Sequence, residues 1–158
     1  MSESTTSVRM PLFDRLTDDE TWVSWEPRPR RTLDRAGLRQ SVRRELEQLF
    51  NTRSPLPVHY LAPSDRTVLD YGIPDLSEYS PRNPDDRTLL AETLRRAVVA
   101  FEPRLGEVRV RVSEQLGTAR TLVAQLEAVL VTEDVREAVS FELLLGLNDG
   151  KVLVDAGS

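Results

Sequence analysis

The chain of 158 residues contains no cysteine. That absence excludes a disulfide framework and any thiolate nucleophile or ligand, and it leaves the redox compartment open. Histidine occurs once, at His59, so no histidine pair or histidine–cysteine set is available to hold zinc. The glycines stand singly, and no phosphate-cradling loop, dinucleotide fingerprint or nucleophile elbow can be built from them. No apolar run approaches the roughly 18 residues of a membrane span, and the N-terminus does not read as a signal peptide. Lysine is nearly missing as well: of 21 basic residues only Lys151 is lysine, and the rest are arginine. The planar arginine fork suits paired contacts with carboxylates and interface burial, although a GC-rich coding sequence explains the bias equally well. The net charge of −5 argues against a general nucleic-acid binder.

What is present fits one domain. An apolar share of 39% against 30% charged is ordinary for a globular chain with a modest core. Every proline except Pro103 lies between Pro11 and Pro84, so the chain is loop-rich early and regular late. Residues 1–33 read as an irregular N-terminal arm and residues 34–158 as the folded domain. The arm carries an apolar cluster, Leu12, Phe13 and Leu16 around Arg15, and then both tryptophans, Trp22 and Trp25. Such side chains either strap an arm onto its own domain or dock it on a partner, since Trp, Phe and Arg are enriched at interfaces.

The most informative stretch runs from Asn83 to Val112. Asn83 reads as an N-cap, Pro84 suits the first helical position, and Asp85 and Asp86 sit where the helix dipole favours negative charge. Leu90, Leu94, Ala97, Val98 and Phe101 mark one helical face, and Glu92 with Arg96 forms an i,i+4 pair. Pro103 stops this helix. The period then changes from 3.6 to 2 at Val108, Val110 and Val112, which predicts a strand. An earlier helix is predicted from about Asp34 to Phe50, with Leu38, Val42, Leu46 and Leu49 inward and Asn51 as a left-handed end residue. Further strands are predicted over Thr121–Val131 and Val139–Leu147. Asn148-Asp149-Gly150 predicts a hairpin leading to a short strand at Lys151–Val154. The fold class is α+β: two main helices packed on one face of a small antiparallel sheet of three to four strands.

Chemistry has little to stand on. Asp18-Asp19, Asp85-Asp86 and Glu133-Asp134 lie in turns or at a helix start. Glu102 is the one acid whose position near the core invites perturbation, and Arg104 is two residues away. A glutamate at a helix C-terminus opposes the dipole, so either Arg104 or a partner's arginine is needed to hold it. An enzyme reading, a cell-wall glycosidase using Glu102, would require a second carboxylate across a substrate cleft.

Four segments in order carry a resemblance: Leu12-Phe13-Asp14-Arg15-Leu16, Ser41 through Arg53, Val68-Leu69-Asp70-Tyr71-Gly72-Ile73-Pro74-Asp75, and Phe101-Glu102-Pro103-Arg104-Leu105. Together they resemble the TssE subunits of type VI secretion baseplates, which are similar to a small wedge protein of contractile phage baseplates historically labelled lysozyme-like. Phe50 stands where a second leucine is expected, a mild departure. The resemblance implies a non-catalytic structural subunit that needs no cofactor or metal and helps initiate polymerisation of the contractile sheath. It implies the baseplate proteins TssF, TssG and TssK and the sheath proteins TssB and TssC as partners, with Hcp and VgrG nearby. It further implies a cytoplasmic baseplate docked at an inner-membrane complex, without membrane insertion or nucleic acid. Leu12, Phe13, Arg15, Leu16, Trp22, Trp25, Glu102, Pro103 and Arg104 are the candidate partner-binding residues. The end of the chain past Asp149 has no role under this resemblance.

Overall fold

A computed structural model of the chain describes residues 8–9, 32–55, 67–114, 121–133 and 135–156. The candidate arm residues Leu12, Phe13, Arg15, Leu16, Trp22 and Trp25, and His59, lie outside the described residues. Two short strands, β1 (Val8–Arg9) and β2 (Thr32–Leu33), pair antiparallel. They set the two ends of the arm side by side, where the sequence predicts no regular structure. Leu33 packs against the core, which ties the base of the arm to the domain.

Helix α1 (Arg35–Asn51) starts at Asp34, whose carboxylate accepts the Gly37 amide at 2.7 Å. This is the side-chain cap that leaves one fewer orphan donor in the first turn. Leu38, Val42, Leu46 and Leu49 are buried as their spacing predicts, together with Ser41 and Phe50. Asn51 does not take the left-handed conformation expected of it. It is the last helical residue, and Thr52 follows in an extended conformation. The Asn51 amide is held instead by the Glu47 carbonyl and by strand β6 described below, which removes the need for a left-handed end.

The long connection that follows contains two single 3-10 turns, Val68–Asp70 and Leu76–Glu78. The first is locked by a capping box: the Thr67 hydroxyl accepts the Leu69 amide and Asp70 accepts the Thr67 amide. Between the turns, Ile73 runs parallel beside Arg53, with Ser54 N–H donating to Ile73 O at 2.9 Å and Ile73 N–H to Thr52 O at 3.0 Å. Gly72 has φ +113, and a Cβ there would stand 2.3 Å from Thr52 O. Only glycine permits that backbone approach. Ile73 and Leu76 are thereby delivered into the core.

Helix α2 (Pro84–Phe101) has the predicted start: Asn83 caps it and Pro84 opens it. Leu90, Leu94, Ala97 and Val98 are fully buried, each large side chain contributing about 1.5–3 kcal/mol. Phe101, expected in the same row, is only partly buried. It meets Tyr71 edge-on, ring centroids 5.2 Å apart.

Four strands, β3 (Leu105–Glu114), β4 (Thr121–Val131), β5 (Arg136–Gly146) and β6 (Val152–Ala156), form an antiparallel meander in the order β3-β4-β5-β6. The inner face carries Leu122, Ala124, Leu126, Ala128 and Leu130 of β4 and Val139, Phe141, Leu143 and Leu145 of β5. Both helices cover that face, α2 against β3 and α1 against β6. The β3–β4 register slips by one residue between Gly106 and Arg109, where Glu107 adopts φ 53. Without this bulge, strict alternation from the buried Leu105 would point Arg109 into the core. The extra residue reverses the parity, so that Leu105 and Val108 are both buried and Arg109 is exposed.

Candidate partner-binding site

The corner between α2 and β3 is built by three consecutive residues. Glu102 closes the helix, its N–H donating to Val98 O at 2.8 Å. Pro103 follows at the surface, and Leu105 N–H donates back to Glu102 O at 3.1 Å, completing a reverse turn with proline at its second position. Arg104 O then accepts from Val131 N–H at 2.8 Å, which registers the turn against β4.

The charges of this corner face inward. Glu102 is 2% exposed. The Arg104 guanidinium grips it with two parallel bonds, Nε to Oε1 at 2.7 Å and Nη2 to Oε2 at 2.6 Å, the geometry in which arginine binds carboxylate best. The Arg104 backbone N–H adds a third donor at 3.2 Å. Arg104 extends further to α1: Nη1 donates to Ser41 Oγ at 3.1 Å and Nη2 lies 3.1 Å from Glu45 Oε2. The Tyr71 hydroxyl has its pKa raised by burial, and then by the negative charges of Glu45 and Glu102. One guanidinium therefore joins α1, the end of α2 and the start of β3, with Tyr71 of the connection beside them.

The requirement that something must hold a glutamate at a helix C-terminus is met inside the chain, by Arg104. Both oxygens of Glu102 are engaged by that guanidinium. Ser41, Glu45 and Tyr71 lie in the quoted segments, but their place beside the corner is not legible in the sequence. Ser41 and Glu45 are four apart and so share a helix face, but nothing local connects them to a residue 63 positions away.

The two edges of the sheet differ. On β6, Val152 donates its N–H to Asn51 Oδ1 at 3.0 Å and its carbonyl accepts Asn51 Nδ2 at 2.8 Å. The Val154 carbonyl accepts Arg43 Nη1 at 3.1 Å. Helix α1 thus meets three backbone groups of β6, Val152 N–H and O and Val154 O, with side chains. Among the described residues, no strand pairs with the outer side of β3, and no side chain hydrogen-bonds the backbone of Arg109–Glu114. Among the described residues, β3 is the edge strand whose outer backbone is left without such partners.

Comparison with known families matches residues 36–135 to the family described as "Baseplate wedge protein gp25". The chain belongs to the baseplate wedge gp25 family. The match runs from α1 to the turn before β5 and takes in three of the four quoted segments, Leu12–Leu16 lying outside it. A search of the curated proteins finds no match. A solved structure titled "The baseplate complex from the type VI secretion system" contains a chain that is 20% identical, with a TM-score of 0.49, covering 68% of this chain and 93% of that one. Membership of the wedge family shows a baseplate role for a chain of this architecture. Ion pairs among the described residues are made by arginines.

Proposed function

We propose that this gp25-family chain is a non-catalytic subunit of a type VI secretion baseplate wedge, and that it helps start the contractile sheath by offering a sheet edge. The observation that carries the reading is the asymmetry of the sheet within a baseplate-family fold: β6 is sealed by Asn51 and Arg43, whereas β3 is an edge. Strand addition to such an edge supplies affinity through main-chain hydrogen bonds. The resemblance of four sequence segments to TssE supports the type VI assignment. It also supports TssF, TssG and TssK as baseplate neighbours, TssB and TssC as the sheath, Hcp and VgrG nearby, and a cytoplasmic site at the inner-membrane complex. Among the described residues no helix is long and apolar enough to cross a membrane. The arm residues Leu12, Phe13, Arg15, Leu16, Trp22 and Trp25 are proposed to dock on the wedge. Glu102, Pro103 and Arg104 are proposed to shape the same surface, Pro103 by exposure and the two charges by fixing the turn. The bidentate grip of Arg104 on Glu102 supports the absence of catalysis.

The test has two arms. Co-expression with TssF and TssG is expected to yield a complex that survives purification. In cells lacking the native chain, a variant with proline at an outward-pointing N–H of β3 is expected to fold yet fail to restore sheath assembly. Failure to form the complex removes the wedge reading, and normal sheaths with a folded proline variant remove the initiation reading. Peptidoglycan turnover abolished by Glu102→Gln would restore the glycosidase alternative.

A further inference from the structure

The segment Arg109–Glu114 runs in unbroken register against β4 after the bulge. Its inner side presents Val110 and Val112, which are packed against the core but only partly buried. Its outer side presents Arg109 and Arg111, both exposed. Arg111 lies 3.5 Å from Glu127, and Glu127 is also the cross-strand partner of Arg109. Among the described residues Arg109 forms no ion pair, and the nearby Glu107 and Glu114 are engaged by Arg136 and Arg87 respectively. The edge therefore pairs an unfinished apolar row with a surplus of positive charge.

We propose that this edge selects a partner strand of alternating apolar and acidic residues. The apolar side chains would complete the cover over Val110 and Val112, and the carboxylates would lie beside Arg109 and Arg111, as the period of two requires. A second copy of this chain is a poor occupant. Antiparallel pairing of residues 109–113 with the same segment of a second copy sets Arg111 opposite Arg111 and Arg109 diagonal to it, and like charges so placed are destabilising. Beyond the bulge, the described run in unbroken register is the six residues Arg109–Glu114. The inference rests on the reading of β3 as an assembly edge, and adds to it the chemistry of the strand that it takes.

The purified full chain is mixed with synthetic octapeptides of alternating valine and glutamate, or valine and lysine. Binding is followed by anisotropy, and its location by amide hydrogen exchange. The acidic peptide is expected to bind about tenfold more tightly than the basic one, to slow exchange at residues 109–114, and to lose its advantage as salt is raised. Arg109→Glu with Arg111→Glu is expected to reverse the preference, and Arg109→Ser with Arg111→Ser to flatten it. Equal binding of both peptides, protection at β6 instead of β3, or full protection of residues 109–114 in the isolated chain would each overturn the proposal. The assay is independent of any baseplate. A chain that joins TssF and TssG but shows no peptide preference loses this inference alone. A chain that prefers acidic strands but joins no baseplate loses the functional reading alone.

Discussion

Two residues carry unusual weight for their size. Arg104 neutralises a carboxylate that is 2% exposed, and a buried charge stripped of its partner is costly. Arg104→Ala is therefore expected to lower unfolding free energy by roughly 3–5 kcal/mol, measured by urea denaturation. Glu102→Gln should cost less, because Arg104 keeps Glu45 and Ser41. Exchanging the two charges should not recover stability, since the exchange sets a carboxylate against Glu45. A swap variant as stable as the parent would refute this account of the corner. Glu107 is the other case, at φ 53, a region that costs a side-chain-bearing residue about 1–2 kcal/mol. Glu107→Gly should hold or raise the melting temperature, the exposed ion pair to Arg136 being worth about 0–1 kcal/mol. Glu107→Val should lower it, because a β-branched residue tolerates this conformation least. If the valine variant melts with or above the glycine one, the bulge is not what holds β3 in register.

At the scale of elements, α2 is pinned outside its core face by arginines. Glu92 receives Arg95 through two bonds at 2.7 and 2.8 Å and Arg96 through one at 2.7 Å. Chiefly the Arg95 hydrogen bond, with Arg96 assisting against partial burial, lowers the Glu92 pKa from 4.5 to about 2. A carboxylate depressed on folding adds stability that is complete above its unfolded pKa and is lost as pH falls through its folded one. The stability difference between the parent and Glu92→Gln is thus expected to be constant above about pH 4.5 and to shrink down to about pH 2. A difference that stays flat across that window would show the triad to be without effect. The connection before α2 depends on a glycine instead. Gly72→Ala would drive a methyl to 2.3 Å from Thr52 O at φ +113, and should destabilise by more than about 1 kcal/mol. It should also expose Ile73 and Leu76 first, seen as early exchange of the Ser54 and Ile73 amides.

For the molecule as a whole, every buried apolar core residue among the described residues falls between Leu38 and Val154. Removing residues 1–30 is therefore expected to leave the helix-on-sheet domain folded by circular dichroism while weakening co-purification with TssF and TssG. Failure of the shortened chain to fold would make the arm an internal strap. The same separation explains how one small domain can serve assembly. Among the described residues the sheet meets its own helix at β6 and no strand at the outer side of β3. The proposed strand addition would therefore have a direction, and Arg109 and Arg111 would disfavour pairing between copies.

What the sequence by itself determined is the two helices and the strands of the main sheet, because their signals are local. The β1–β2 pair and the two 3-10 turns were not among them. Asn83-Pro84 and Pro103 punctuate α2, the period changes from 3.6 to 2 just beyond, and Asn148-Asp149-Gly150 turns the last hairpin, where Gly146 N–H meets Lys151 O at 2.9 Å. The inward rows of α1, α2, β4 and β5 were legible for the same reason, since burial follows spacing along a regular element. The tertiary structure alone decided how Glu102 and Arg104 are used, because Ser41 and Glu45 reach them from a helix some 60 residues earlier. It alone showed that, among the described residues, α1 side chains meet β6 and no strand pairs with the outer side of β3. Asn51, legible only as a helix end, acts through Val152, 101 residues on, and a contact across that distance leaves no periodic trace. The bulge at Glu107 was hidden too: one inserted residue changes parity without changing composition, and is fixed only by which face of β3 meets the core.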